Sequence, residues 1–139
     1  MQNQNKSIFS INCSHTGKDM MDWLVNGWVL LVAILHLWFL ILEMFLWDKP
    51  IGLKIFRHTT EQAANTKVLA ANQGLYNGCL AAGLLWSFFI APPFHTQVQI
   101  FFLISILIAG IYGGISANKK IFYIQGLPAA IGLALLFLS

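Results

Sequence analysis

Four stretches of this chain, residues 24–47, 68–91, 98–117 and 121–138, are apolar over lengths that reach or approach those of a bilayer-crossing helix, about 20 residues. Nothing else in the sequence restricts the fold so strongly. The last stretch is the shortest, and Pro128 interrupts it. In hydrocarbon every backbone N–H and C=O needs a protein partner, and a helix supplies these within its own segment. A water-soluble core is no alternative. Hydrophobic residues make up 58% of the chain and charged ones 9%, where a soluble domain carries about a quarter charged. The expected fold is all-α: a polytopic membrane protein, a four-helix antiparallel transmembrane bundle, with the lipid bilayer as its first partner.

The polar residues within these stretches gather at one depth. Glu43 lies near the end of the first, and Asn72, Gln73, Tyr76 and Asn77 near the start of the second. Tyr112 and Ser116 come late in the third, Tyr123 and Gln125 early in the fourth. In antiparallel spans these positions fall in the same half of the membrane. The other half offers little beyond Trp86 and Ser87, and Asn26 reads as interfacial. A polar cup opening to one face, with a greasy seal toward the other, is expected rather than the continuous polar lining of a channel.

Charge sets the direction. The loop 48–67 carries Lys49, Lys54, Arg57 and Lys67, and the third loop carries Lys119 and Lys120. The tail has only Lys6 and Lys18, and the second loop, around Pro92-Pro93, has none. The positive-inside rule then puts loop 48–67 in the cytoplasm and both termini outside. Trp23 and Trp28 fall at the outer interface and Trp47 at the inner one, as amphipathic rings prefer. Residues 1–22 are polar without helical period and read as a disordered tail. Met20 and Met21 stand just before the first span, so the tail could lie upstream of the true start.

Loop 48–67 has signals of its own. Pro50-Ile51-Gly52 breaks the chain, and Ile51, Leu53, Ile55 and Phe56 interleave with Lys54 and Arg57, a pattern suited to the membrane surface. Thr59 or Thr60 can cap a new helix with Glu61 and Gln62 in its first turn. The second helix should thus begin near Thr60 and end at Pro92-Pro93. The net charge of +3 is small and lies in loops; without clustered basic and aromatic residues it argues against nucleic acid as a partner. Cys13 and Cys79 lack zinc spacing and are too far apart to bridge, so neither a disulfide, a metal site nor another cofactor is expected.

Glu43 is the most consequential residue, because an acidic side chain inside a membrane helix costs a few kcal/mol. It stands four residues before Trp47, about 6 Å inside the interface. It either pairs with loop cations such as Lys54, Arg57 or Lys67, or serves as a proton- or ligand-binding carboxylate. His36 lies two turns earlier on the same face, about 10 Å away by helical rise, and reads as a helix-bonded imidazole or a relay group. Asn72 and Tyr76, and Gln73 and Asn77, form i,i+4 pairs. They are either glue between helices or binding groups. Gly74/Gly78, Gly110/Gly114 and Gly126/Ala130 allow close helix approach, within the chain or in a homo-oligomer.

The runs Glu43-Met44-Phe45-Leu46-Trp47 and Asn72-Gln73-Gly74-Leu75-Tyr76-Asn77-Gly78 resemble the domain-of-unknown-function 1304 family of small, mainly bacterial integral membrane proteins. The resemblance covers residues 23 to 139 and leaves out the tail. It implies a four-helix inner-membrane protein in which His36, Glu43 and residues 72–77 match the family pattern, and it brings no established activity.

Three functions stay open. The first is a small transport or binding protein with an inward-facing cup for an organic solute, centred on Glu43, with His36, Asn72, Gln73, Tyr76, Asn77, Tyr112 and Gln125 as candidate ligand or proton groups. The second is a structural or assembly protein whose polar residues only hold helices together. The third is an intramembrane acid/base enzyme on a lipophilic substrate, with Glu43 and His36 as the pair. The two-turn separation of that pair counts against the third.

Overall fold

A computed structural model describes the backbone of residues 2–139 and the side chains from residue 17 onward. The chain is helical throughout, with no strand among the described residues. Helix α1 spans Gln2–Met44, α2 Pro50–Phe56, α3 Thr60–Ser87 and α4 Phe94–Ser116. Helix α5 (Lys119–Ile121), a π-helical segment (Phe122–Gly126) and α6 (Leu127–Leu138) follow one another as one continuous rod. Most of the expected tail, and Cys13 within it, lies outside the described side chains; from Gly17 to the start of the first apolar stretch the chain is part of α1.

Among the described residues, three helical stretches are long and apolar enough to cross a membrane: Gly17–Met44, Phe94–Ser116 and Lys119–Leu138. Helix α3 is longer than α4, with 28 residues against 23, but its first half is rich in polar residues, among them Asn65, Thr66, Asn72 and Gln73, with Asn77 just beyond. The large apolar side chains point outward. Leu24, Ile34, Phe89, Ile108, Ile115 and Phe137 are all exposed. An apolar exterior on this scale is the surface of a protein dissolved in lipid.

Helix α1 packs against α3, α3 against α4, α4 against α6 and α6 against α1, closing a ring. The neighbours run antiparallel. Gly74 lies against Met44 and Glu43, and Gly78 against Leu40. Across the opposite pair, Gly110 meets Gly126 and Gly132 meets Leu103. Each helix turns one stripe inward at the 3–4 residue spacing of a helical face: Val25, Val29, Val32 and His36 on α1; Ala70, Gly74, Asn77, Ala81 and Leu84 on α3; Gln99, Leu103, Ile106 and Gly110 on α4. The centre is closed by Val29, Val32, Leu84, Leu103, Ile106 and Ala129, all fully buried.

Two local devices fix the corners. Thr59 caps α3: its side chain accepts from the Gln62 amide at 3.2 Å, and its own N–H donates to Gln62 Oε1 at 3.0 Å. This reciprocal box satisfies two otherwise orphaned donors. Before it, Pro50 opens α2, where its missing N–H costs nothing, and Gly52 sits where a Cβ would strike the Leu46 carbonyl. The second device is the π segment. Pro128 has no N–H to give to the residue four earlier, and its ring would crowd that carbonyl. The preceding turn widens, with Leu127 N–H reaching back to Phe122 O, so the rod continues where the sequence alone suggested a break.

Candidate functional site

Glu43 comes from the last turn of α1, one residue before the helix ends at Met44. It turns into the ring because α3 approaches there without side chains: a Cβ on Gly74 would lie 3.1 Å from Glu43 Cβ and 2.8 Å from Met44 Cγ. That proximity brings Asn77, one turn along α3 and 1% exposed, to the carboxylate. Asn77 Nδ2 donates to Glu43 Oε2 at 2.7 Å, and Gln125 Nε2, from the widened π turn, donates to Asn77 Oδ1 at 3.5 Å. Three helices thus contribute one residue each to a chain running Gln125, Asn77, Glu43.

The electrostatics are unusual for a half-buried acid. Among the described residues no cation pairs with Glu43. Two cations of loop 48–67 are engaged elsewhere: Lys67 Nζ donates to Asp48 Oδ2 at 2.8 Å, and Lys49 lies 3.8 Å from the same carboxylate. The Lys67 bond holds the surface Asp48 below the usual carboxylate range. The partner of Glu43 is therefore a neutral amide donor. Such a donor can serve the carboxylate and also the carbonyl oxygen of the protonated acid, whereas a lysine or arginine would favour the charged form alone.

The remaining candidates do not join this chain. His36 is buried deeper in α1, its Nδ1–H donating to the Val32 carbonyl at 2.9 Å and its ring edge-on to Phe39. No side-chain hydrogen bond links it to Glu43. Asn72, Gln73, Tyr76 and Tyr112 are exposed on the outer surface of the ring, as is Tyr123. The reason is angular. The inward stripe of α3 runs through positions 70, 74, 77 and 81, and 72, 73 and 76 lie off it. Equal depth did not mean equal direction. Of the glycines, Gly74 and Gly78 face α1, Gly110 faces Gly126, and Gly114 faces Phe122, all within this chain.

The sequence reading also missed a polar group at the other end of the bundle. Gln99, fully buried on α4, donates Nε2 to Asn26 Oδ1 at 3.3 Å, and Ser87, also fully buried, donates to Leu84 O. The greasy seal is thus the middle layer of the bundle, not its whole outer half. Gln99 falls on the same stripe as Leu103, Ile106 and Gly110, and that periodicity was the available signal.

With fold and site in view, comparison with known proteins defines the class. A family profile described as "Protein of unknown function (DUF1304)" matches residues 30–137, and the chain belongs to that family. It is similar to the uncharacterized protein YpaA of Lactococcus lactis subsp. lactis (strain IL1403), with 32% identity over 111 residues, 78% of this chain and 88% of the relative. No solved structure matches. The matched region contains Glu43, Asn77 and Gln125.

Proposed function

We propose that this chain is a small four-span transport or binding protein in which the Glu43–Asn77–Gln125 chain is a proton or solute site. In this reading α3 is the fourth crossing, its inward stripe of Ala70, Gly74, Asn77, Ala81 and Leu84 covered by α1 and α4. By the distribution of Lys and Arg, loop 48–67 is cytoplasmic and both termini are outside the plasma membrane, the inner membrane of a bacterium, so the Glu43 end opens inward. The short α2, with Ile51 and Ile55 exposed one turn apart, lies along the membrane surface.

One observation carries the reading: a half-buried carboxyl inside a membrane bundle, held by a neutral amide and, among the described residues, by no cation. An ionisable group so placed is costly, and a role in moving or binding a proton or cation is the physical reason to keep it. A structural role rests on the same hydrogen bonds and on the close glycine contacts, and is the second reading. The acid/base reading is weaker, because His36 and Glu43 do not converge on one point. Proteoliposomes loaded with a pH-sensitive dye test the proposal. Under an imposed potassium diffusion potential the chain is expected to carry protons, and Glu43→Gln to abolish the flux. A folded chain that carries none, or an unaffected Glu43→Gln variant, overturns the proton-coupled reading.

A further inference from the structure

We infer that the end of the bundle opposite Glu43 holds a second binding site, for a small primary ammonium ion. A cavity of about 210 Å³ opens there between α1, α4 and α6, roughly the volume of seven water molecules. Its polar lining comes from Asp22 and Asn26 on α1, His95 and Thr96 on α4, and Ser139 after α6; Val25 and Leu136 complete it. One turn further into α4 stands Gln99, which donates to Asn26 Oδ1 and whose Oε1 is buried with no hydrogen-bond partner among the described residues.

The chemistry of this lining selects a donor-rich cation. Asp22 can only accept when ionised; Asn26 Oδ1, which already accepts from Gln99, and the Thr96 hydroxyl, which lies 3.2 Å from His95 Nε2, each keep one further acceptor position. No lysine or arginine lines the cavity, and no ion pair engages Asp22 among the described residues. The first turn of α4 brings a positive partial charge of about half a unit, less than the full negative charge of Asp22. The net field favours a cation, and the spare acceptor positions favour one that carries N–H groups. The volume limits it to a few non-hydrogen atoms. The packed layer of Val29, Val32, Leu84, Leu103 and Ile106 separates this cavity from Glu43, so the inference stands apart from the proposed role of that residue.

Calorimetric titration of the full chain in detergent with ethylammonium chloride tests it. Saturable binding is expected, weakened about tenfold or more by Asp22→Asn and several-fold by Thr96→Val, and unchanged by Ser116→Ala at the other end. Tetramethylammonium, with the charge but no N–H, and acetate, with the opposite charge, are expected to bind far more weakly. Absence of ethylammonium binding, full-strength binding by folded Asp22→Asn or Thr96→Val, or tighter binding of acetate or tetramethylammonium overturns the proposal. If Asp22→Asn fails to fold, Thr96→Val alone decides. Repeating the titration in nanodiscs separates two sources of the same chemistry. Weaker ethylammonium binding in phosphatidylethanolamine than in phosphatidylcholine discs assigns the site to a lipid headgroup, and equal binding assigns it to a free amine.

Discussion

At the scale of single residues, Glu43 and Asn77 separate chemistry from architecture. Glu43→Gln keeps an oxygen that can accept from Asn77 Nδ2, so the fold should persist while proton transfer is lost. Glu43→Ala leaves that buried donor without a partner and should cost about 1–3 kcal/mol. Melting of the two variants in detergent checks the difference, and equal large losses would point to a charged, structural carboxylate. The surface Asp48 gives a pH effect of known sign. Its pKa is lowered in the folded chain by the Lys67 bond, so its stabilising contribution is present at neutral pH. That contribution is lost as pH falls through the ordinary aspartate range, about 4, and below. Amide exchange at the α2–α3 corner should therefore quicken in acid, and Asp48→Asn should remove that pH dependence. The sequence made Glu43 legible, because an acid in an apolar run is conspicuous. It did not make its partner legible. Choosing Asn77 over Asn72 and Gln73 requires the rotation of α3 about its axis, which Gly74 and Gly78 settle by letting α1 in on one side only.

At the scale of elements, what the sequence revealed was local and what it hid was pairwise. The start of α3 could be read from Thr59 and Gln62, since a capping box is a contact between residues three apart. Thr59→Ala should cost about 1 kcal/mol, measurable as a lower melting temperature. The continuity of the rod through Pro128 could not be read, because the π segment that absorbs the proline sits against α4. The two helices meet there backbone to backbone: a Cβ on Gly110 would lie 2.5 Å from Gly126 N and 2.6 Å from its Cα. Gly110→Ala must push the helices apart and should destabilise by about 1–3 kcal/mol. Gly78→Ala meets only the end of the Leu40 side chain, which can rotate away, and should cost much less. Parallel melting curves of the two variants measure this contrast. Fluorescence of Trp28, whose Nε1–H ties α1 to the Pro128 carbonyl at 2.8 Å, should report any loosening.

At the scale of the whole molecule, the ring is a polar–apolar–polar sandwich along its length, with Glu43 near one end and Asn26 and Gln99 near the other. Reporter fusions at the C-terminus and within residues 54–67 test its orientation: periplasmic and cytoplasmic signals, respectively, are expected, and the reverse would turn the Glu43 end outward. Helix α3 bears on how the chain is made. Its inward stripe carries Asn77, and α1 carries Glu43, so each helix alone would expose to lipid a polar group that the other satisfies. The insertion machinery should therefore hold α1 until α3 emerges and release the two as a hairpin, with the later helices entering one by one. A ribosome-bound chain truncated before α3 should still be crosslinked to the insertion channel, and one extended past α3 should have moved into lipid.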